Sequence, residues 1–230
     1  ALISPTHNET NLFPLGGKSW LAAARDAQVD CIRSDDDGAT WGPPTPATGR
    51  GEVNGHLTRL ADKRLLLSYG VRGRGSQSVC AMLSSDEGRT WCSPRPLLRR
   101  DHGLPIPEPL CCCPIYEYAP GRYVLLHHNN DGHFEGSKRE ETGKNRRPAC
   151  LALGEYRPSA EQPIWFSESK VFFDNGGVGI GPLTRIDCGV YPSVTNRNGQ
   201  VVLWHPDRKF FLLGKKITAD WLATLTVPER

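Results

Sequence analysis

SDDDGATW at Ser34–Trp41 and SSDEGRTW at Ser84–Trp91 spell one pattern twice, Ser-x-Asp-x-Gly-x-Thr-Trp, and the copies start 50 residues apart. Each element of the pattern has a job in a tight turn. The Asp carboxylate accepts hydrogen bonds from backbone N–H groups of its own loop, and the glycine supplies a positive φ. The Trp closes the turn with a ring suited to burial between sheets. An eight-residue turn repeated at this interval marks a repeated supersecondary unit. Asp36, Gly38, Trp41, Asp86, Gly88 and Trp91 are therefore read as fold chemistry, not as catalytic groups.

The chain around the turns repeats the same plan of short strands. NLFPLGG, SWLAAAR, VDCIRS and TWGPPTP follow one another, separated by Gly, Pro or Asp-rich breaks. GHLTRLADK, RLLLSYGV, SVCAMLSS and TWCSPRPLL form the next round. A third contains CCCPIYEYAPG, RYVLLHHNN, RPACLALGEY and PIWFSESKVFF, and a fourth GVYPSVTNRNG, QVVLWHP and KFFLLGKKI. About four strands per unit, in units of roughly fifty residues, predict an all-β chain built as propeller blades. Approximate blade limits are 1–50, 51–100, 104–175 and 186–230, within a single partial propeller domain over 1–230. In each copy of the repeated turn, the loop joins the last two strands of a blade. Only TADWLATL has helical character.

Composition narrows the function classes. The chain has 230 residues, 38% of them hydrophobic, with Gly 24 and Pro 19, which is a globular and turn-rich balance. A net charge of +3 with the signs interspersed leaves no nucleic-acid footprint. No apolar run approaches the roughly 18 residues a membrane helix needs. The N-terminus ALISPTHNETN lacks the basic-then-apolar plan of a signal peptide, so the compartment stays open. Eight cysteines occur without a Cys-x-x-Cys pair, which argues against a metal site and for free thiols, the run Cys111–Cys113 being placed in a strand. No cofactor is expected.

The duplicated turn resembles the Asp box, or bacterial neuraminidase repeat, of the sialidase superfamily. That resemblance implies a six-bladed β-propeller of which about four blades are present, the chain reading as an N-terminally incomplete member. It implies an exo-glycosidase acting on a terminal acidic sugar of a glycan. Such enzymes use a tyrosine nucleophile, a glutamate that takes its proton, three arginines that hold the substrate carboxylate, and an aspartate acid/base. The chemistry is coherent. A carboxylate nucleophile would be repelled by an acidic anomeric centre, whereas a neutral phenol is not, and guanidinium groups pair with carboxylates bidentately.

Carried onto this sequence, the resemblance implies Tyr191 in GVYPSVTNRNG as nucleophile, with Pro192 where a serine is common. It implies Glu9 as its base and Arg25, 16 residues further on, as one carboxylate-binding arginine. Arg147 is the preferred second arginine, with Arg146 as fallback. Blade counting offers a rival register, in which Asn54 stands where the glutamate is expected and Arg72 serves as the arginine. His128, Asn130 and Asp131, in the polar stretch 127–133, are candidate sugar contacts. A metal site and a bland loop are the other readings of that stretch. An Arg-Ile-Pro stretch and an early acid/base Asp have no counterpart here, and exposed blade faces would then favour self-association. The alternatives are a propeller lyase acting on uronic-acid glycans and a non-catalytic carbohydrate-binding propeller.

Overall fold

The computed structural model describes residues 2–71 and 78–229. They form four antiparallel sheets that stand as blades of a β-propeller. Sheet one runs β1 (Asn8–Gly16), β2 (Ser19–Arg25), β3 (Val29–Ser34) and β4 (Thr45–Pro46), each strand paired with the next in sequence. Sheet two repeats this with β5 (Glu52–Arg59), β6 (Leu65–Val71), β7 (Val79–Ser84) and β8 (Arg95–Pro96). Sheet three holds β9 (Ile115–Ala119), β10 (Arg122–His127), β11 (Ala149–Tyr156) and β12 (Ile164–Phe166), and β13 (Lys170–Phe173) also pairs with β11. Sheet four has β14 (Ser193–Arg197), β15 (Gln200–Asp207) and β16 (Phe211–Ile217), followed by the short helix α1 (Ala219–Leu222).

Two local expectations change. Cys111–Cys113 lie outside the strands, because β9 begins only after Pro114. The Trp41 and Trp91 rings are half-buried, not fully enclosed.

Strand alternation builds the core between blades. On β6, Leu65 and Leu67 face sheet one, packing with Leu21, Ala23, Val29 and Cys31, while Leu66 faces sheet three. On β10, Tyr123 and Leu125 turn toward sheet two, and Val124 and Leu126 toward sheet four. Both faces of these strands are buried, which is why they read as continuous apolar runs. Full burial of each such Leu contributes about 1.5–3 kcal/mol.

The two repeated turns are nearly superimposable in their bonding. In the first, Asp36 accepts from the Thr40 amide at 2.8 Å, the Thr40 hydroxyl at 2.6 Å and the Ser34 hydroxyl at 2.8 Å. In the second, Asp86 accepts from the Thr90 amide at 2.8 Å, the Thr90 hydroxyl at 2.6 Å and the Ser84 hydroxyl at 2.8 Å. These donors hold both carboxyls at about 2. Gly38 and Gly88 sit at φ 79° and 77°, and a Cβ on Gly88 would meet Leu21 Cδ2 of the neighbouring blade at 2.5 Å. The second turn is thus also a joint between blades, and Arg59 reinforces it with a bidentate pair to Glu87 at 2.7 and 2.8 Å.

Register sets the turns and the candidate site at opposite ends. Asn8 pairs with Arg25 and Arg25 with Val29 at one end of sheet one, whereas Trp20 pairs with Ser34, beside the turn, at the other.

Candidate active site

Glu9 occupies a bulge near the start of β1, where the register slips between Asn8 and Asn11, and takes φ 45°. Tyr191 stands just before β14 at φ 56°, its amide donating to Cys112 Sγ at 3.2 Å. Positive φ in non-glycine residues costs of order 1–3 kcal/mol and persists where the surroundings over-determine it. Here two such residues meet. The Tyr191 hydroxyl donates to Glu9 Oε1, and Arg25 Nη1 donates to Glu9 Oε2. Arg25 reaches Glu9 because it is the last residue of β2 and pairs with Asn8 across the ladder.

Arg146 completes the cluster from sheet three. It is buried, its Nε donates to the Leu110 carbonyl at 2.9 Å, and its charge acts on both Glu9 and Tyr191. Burial works against charge on Glu9. The Tyr191 hydroxyl, Arg25 and Arg146 outweigh it and hold the carboxyl below its ordinary range. Burial, and then the Glu9 carboxylate, push the Tyr191 phenol well up. The pair at rest is therefore a neutral phenol donating to a carboxylate, the arrangement a base needs to take that proton as the oxygen attacks.

These groups open into a cavity of about 340 Å³ lined by Glu9, Asn54, His56, Cys112, Tyr191 and Lys209, among others. Glu9 is the only carboxylate among its described lining residues. Lys209, in the β15–β16 hairpin, sets its ammonium 5.2 Å from the Tyr191 ring centroid, a cation–π contact. Burial pushes the His56 imidazole down to about 3, so it is neutral near pH 7. A larger hollow of about 580 Å³, lined by Leu66, Leu83, Leu97 and Asp101 among others, includes neither Tyr191 nor Glu9.

The structure separates the remaining candidates. Arg147 turns away from the cavity, pairing with Asp174 at 3.0 and 2.7 Å and with Glu135 at 2.5 Å. Adjacent residues near a strand entry point to opposite sides, so only one of Arg146 and Arg147 reaches the centre. That one is Arg146. His128 is buried behind it, with Nδ1 on Glu108 at 2.8 Å and Nε2 on the Cys188 carbonyl at 2.8 Å. Asn130 Nδ2 binds the Asn145 carbonyl at 2.9 Å, and Asp131 pairs with Arg139 at 2.8 Å. His128, Asn130 and Asp131 thus shape the loop that carries Arg146 and do not line the cavity. Arg72 lies outside the described residues.

Glu108, Cys111 and His128 bring three ligand-type atoms within 4.8 Å of one another. Both His128 nitrogens face oxygen acceptors, which requires the imidazolium. Burial opposes that charge, and the Glu108 carboxylate overrides it, raising His128 to about 10. The cluster is a buried ion pair, and its histidine has no nitrogen left for a metal.

Sequence reasoning passed over His56, Cys112 and Lys209 at the cavity. Aligning the first two repeats exposes His56, because Asn54 and His56 occupy the stations of Glu9 and Asn11. No comparable signal marks Lys209.

No protein-family model matches the chain, and no curated protein does either. Solved structures do match. The NanB sialidase of Streptococcus pneumoniae is similar at TM-score 0.54 and 15% identity, over 86% of this chain and 28% of that one. An α-L-arabinofuranosidase from Lactobacillus brevis is similar at TM-score 0.55 and 11% identity, over 91% and 71%. An exo-β-1,3-galactanase from Phanerochaete chrysosporium is similar at TM-score 0.51 and 10% identity, over 86% and 42%. The chain spans little more than a quarter of the NanB chain. At these identities the likeness establishes the propeller fold.

Proposed function

We propose that this chain carries the nucleophile side of a glycoside hydrolase site acting on terminal acidic sugars, sialic acid or a close relative. The observation that carries the reading is the Tyr191–Glu9 hydrogen bond, flanked by Arg25 and Arg146. Glu9 accepts the phenol proton while Tyr191 Oη bonds to the anomeric carbon and the glycosidic C–O bond breaks. The leaving oxygen takes its proton from an acid other than those lining the described cavity. Lys209 lines the pocket, and Arg25 and Arg146 add positive charge through Glu9 and Tyr191, which suits an anionic sugar. Glycosidase names among the similar structures support the reaction class.

Elimination on a uronate glycan is the second reading, favoured by neutral His56 in the same cavity. Its depressed basicity makes it a poor base for carbon acids, while the Glu9 carboxylate already accepts the Tyr191 hydrogen bond, so hydrolysis is preferred.

The test is a 3-fluorosialosyl fluoride, whose fluoride leaves without general-acid help. Peptide mass spectrometry is expected to find the fluorosialosyl group on Tyr191, with none on a Tyr191→Phe variant. An unmodified Tyr191 after prolonged incubation would overturn the reading.

A further inference from the structure

The first two sheets carry the same bulge at the same place. Register slips between Asn8 and Asn11 in β1 and between Val53 and His56 in β5, and both bulges hold a left-handed residue, Glu9 at φ 45° and Asn54 at φ 64°. Glu9 and Asn54 are equivalent stations, and so are Asn11 and His56. In sheet one both stations are satisfied. Glu9 binds Tyr191 and Arg25, and Asn11 Oδ1 accepts from the Leu57 amide at 2.9 Å, tying the two blades together. In sheet two neither is. Asn54 Oδ1 and His56 Nδ1 are buried and make no hydrogen bond, although the residues are only 5% and 8% exposed.

Both residues line the cavity that holds Tyr191 and Glu9. Their positions are firmly held. A Cβ on Gly55 would meet Val29 Cγ1 at 2.8 Å, so the Asn54–Gly55 backbone is pressed against sheet one, and the His56 ring stands edge-on to Tyr116 at 4.8 Å. Buried polar atoms in folded proteins are almost always paired, and exceptions call for an explanation.

We propose that Asn54 and His56 form a hydroxyl-binding wall, taking an O–H-bearing arm of the same acidic sugar whose anomeric end faces Tyr191. This rests on the glycosidase reading above. A hydroxyl satisfies both groups, since Asn54 Oδ1 only accepts, whereas the ring nitrogen donates or accepts according to its tautomer. A second carboxylate would set acceptor against acceptor at Asn54, and an alkyl arm would leave both atoms unpaired. The cavity therefore has two unlike sides, a charged one where Lys209 lines it beside Tyr191 and Glu9 and a neutral one from Asn54 and His56. Together they select a sugar with an acid group on one side and hydroxyls on the other.

The experiment is calorimetric titration of the chain and its Asn54→Leu and His56→Phe variants with two probes, the methyl α-glycoside of N-acetylneuraminic acid and methyl β-D-glucuronide. At least one probe is expected to bind the unaltered chain, and each substitution to weaken that binding about tenfold, the worth of one hydrogen bond. Thermal midpoints are expected to hold or rise, because each variant removes a buried polar atom that has no partner. A purely structural role would give lower midpoints and unchanged affinity. Unchanged affinity in both variants overturns the wall and leaves the acidic-sugar reading standing, whereas failure of both probes to bind the unaltered chain overturns the two together. Should a variant not fold, the His56 imidazole nitrogen resonances of the unaltered chain decide instead. A shift at Nδ1 on saturation with the binding sugar supports the wall, and an unmoved resonance overturns it.

Discussion

The Tyr191 hydroxyl donates to the Glu9 carboxylate across 182 residues of chain, joining the last sheet to the first at the end opposite the repeated turns. Removing the acceptor while keeping the shape isolates its chemistry. Glu9→Gln is expected to slow labelling of Tyr191 by the 3-fluorosialosyl fluoride by about 10²–10⁴-fold, the usual worth of a positioned base. Labelling rates followed by mass spectrometry, beside a far-ultraviolet spectrum, check this, and a variant within threefold of the parent would remove Glu9 from the mechanism.

Glu9 also predicts a pH dependence. Its folded pKa lies below the ordinary 4.5, so it contributes stability above pH 4.5 that is lost as pH falls through the depressed value. The stability gap between the parent chain and Glu9→Gln should be open at pH 7 and close on the acid side. Urea midpoints measured from pH 7 to pH 3 test the sign, and a gap that widens with acid contradicts it.

Asp36 and Asp86 are held at about 2, against 3.8 when unrestrained. Their contribution is present above pH 3.8 and lost toward pH 2. Asp36→Asn and Asp86→Asn should each lower the denaturation midpoint at pH 7 and converge with the parent at pH 2. Asp86→Asn should cost more than Asp36→Asn, because the second turn also abuts Leu21 and carries the Arg59–Glu87 pair.

The buried Glu108–His128 pair acts on the alkaline side. With His128 raised to about 10 from 6.5, its contribution is complete below pH 6.5 and lost as pH rises through about 10. Glu108→Gln should destabilise the chain by about 3 kcal/mol at pH 7, as breaking a buried pair does. It should also flatten the fall in stability between pH 7 and pH 10, which guanidinium titrations at the two ends would measure.

Strand β16 presents Phe211, Leu212 and Leu213 to solvent, with Leu212 71% exposed. An apolar edge strand is a template for pairing with another chain. Sedimentation should show concentration-dependent association of this chain, and Leu212→Lys should reduce it. Identical sedimentation of the two proteins would show that this edge is not the contact.

The repeated turns were fully legible because their chemistry is local. Ser34, Asp36, Gly38 and Thr40 bond to one another within eight residues, so residue types at fixed spacing are enough to predict the loop. Short apolar runs bounded by Gly, Pro and Asp breaks did the same for the blades, since both are local features of the chain. Glu9, Arg25 and Tyr191 were legible through resemblance, and Glu9 with Arg25 also through the hairpin that pairs Asn8 with Arg25.

What the sequence by itself determined is therefore the propeller and its repeated turns. Which side chains reach the centre was decided by tertiary structure. Arg146 and Arg147 are identical in type and adjacent, and only the facing of the strand entry sends one toward Tyr191 and the other to Asp174. Lys209 joins the cavity because the β15–β16 hairpin of sheet four overhangs the Tyr191 ring. Asn54 and His56 become significant only when the packed blades leave their polar atoms buried and unpaired. Local hydrogen bonds and short apolar runs are properties of neighbouring residues, whereas convergence on a cavity depends on how separate sheets are packed, and no short stretch of sequence encodes that.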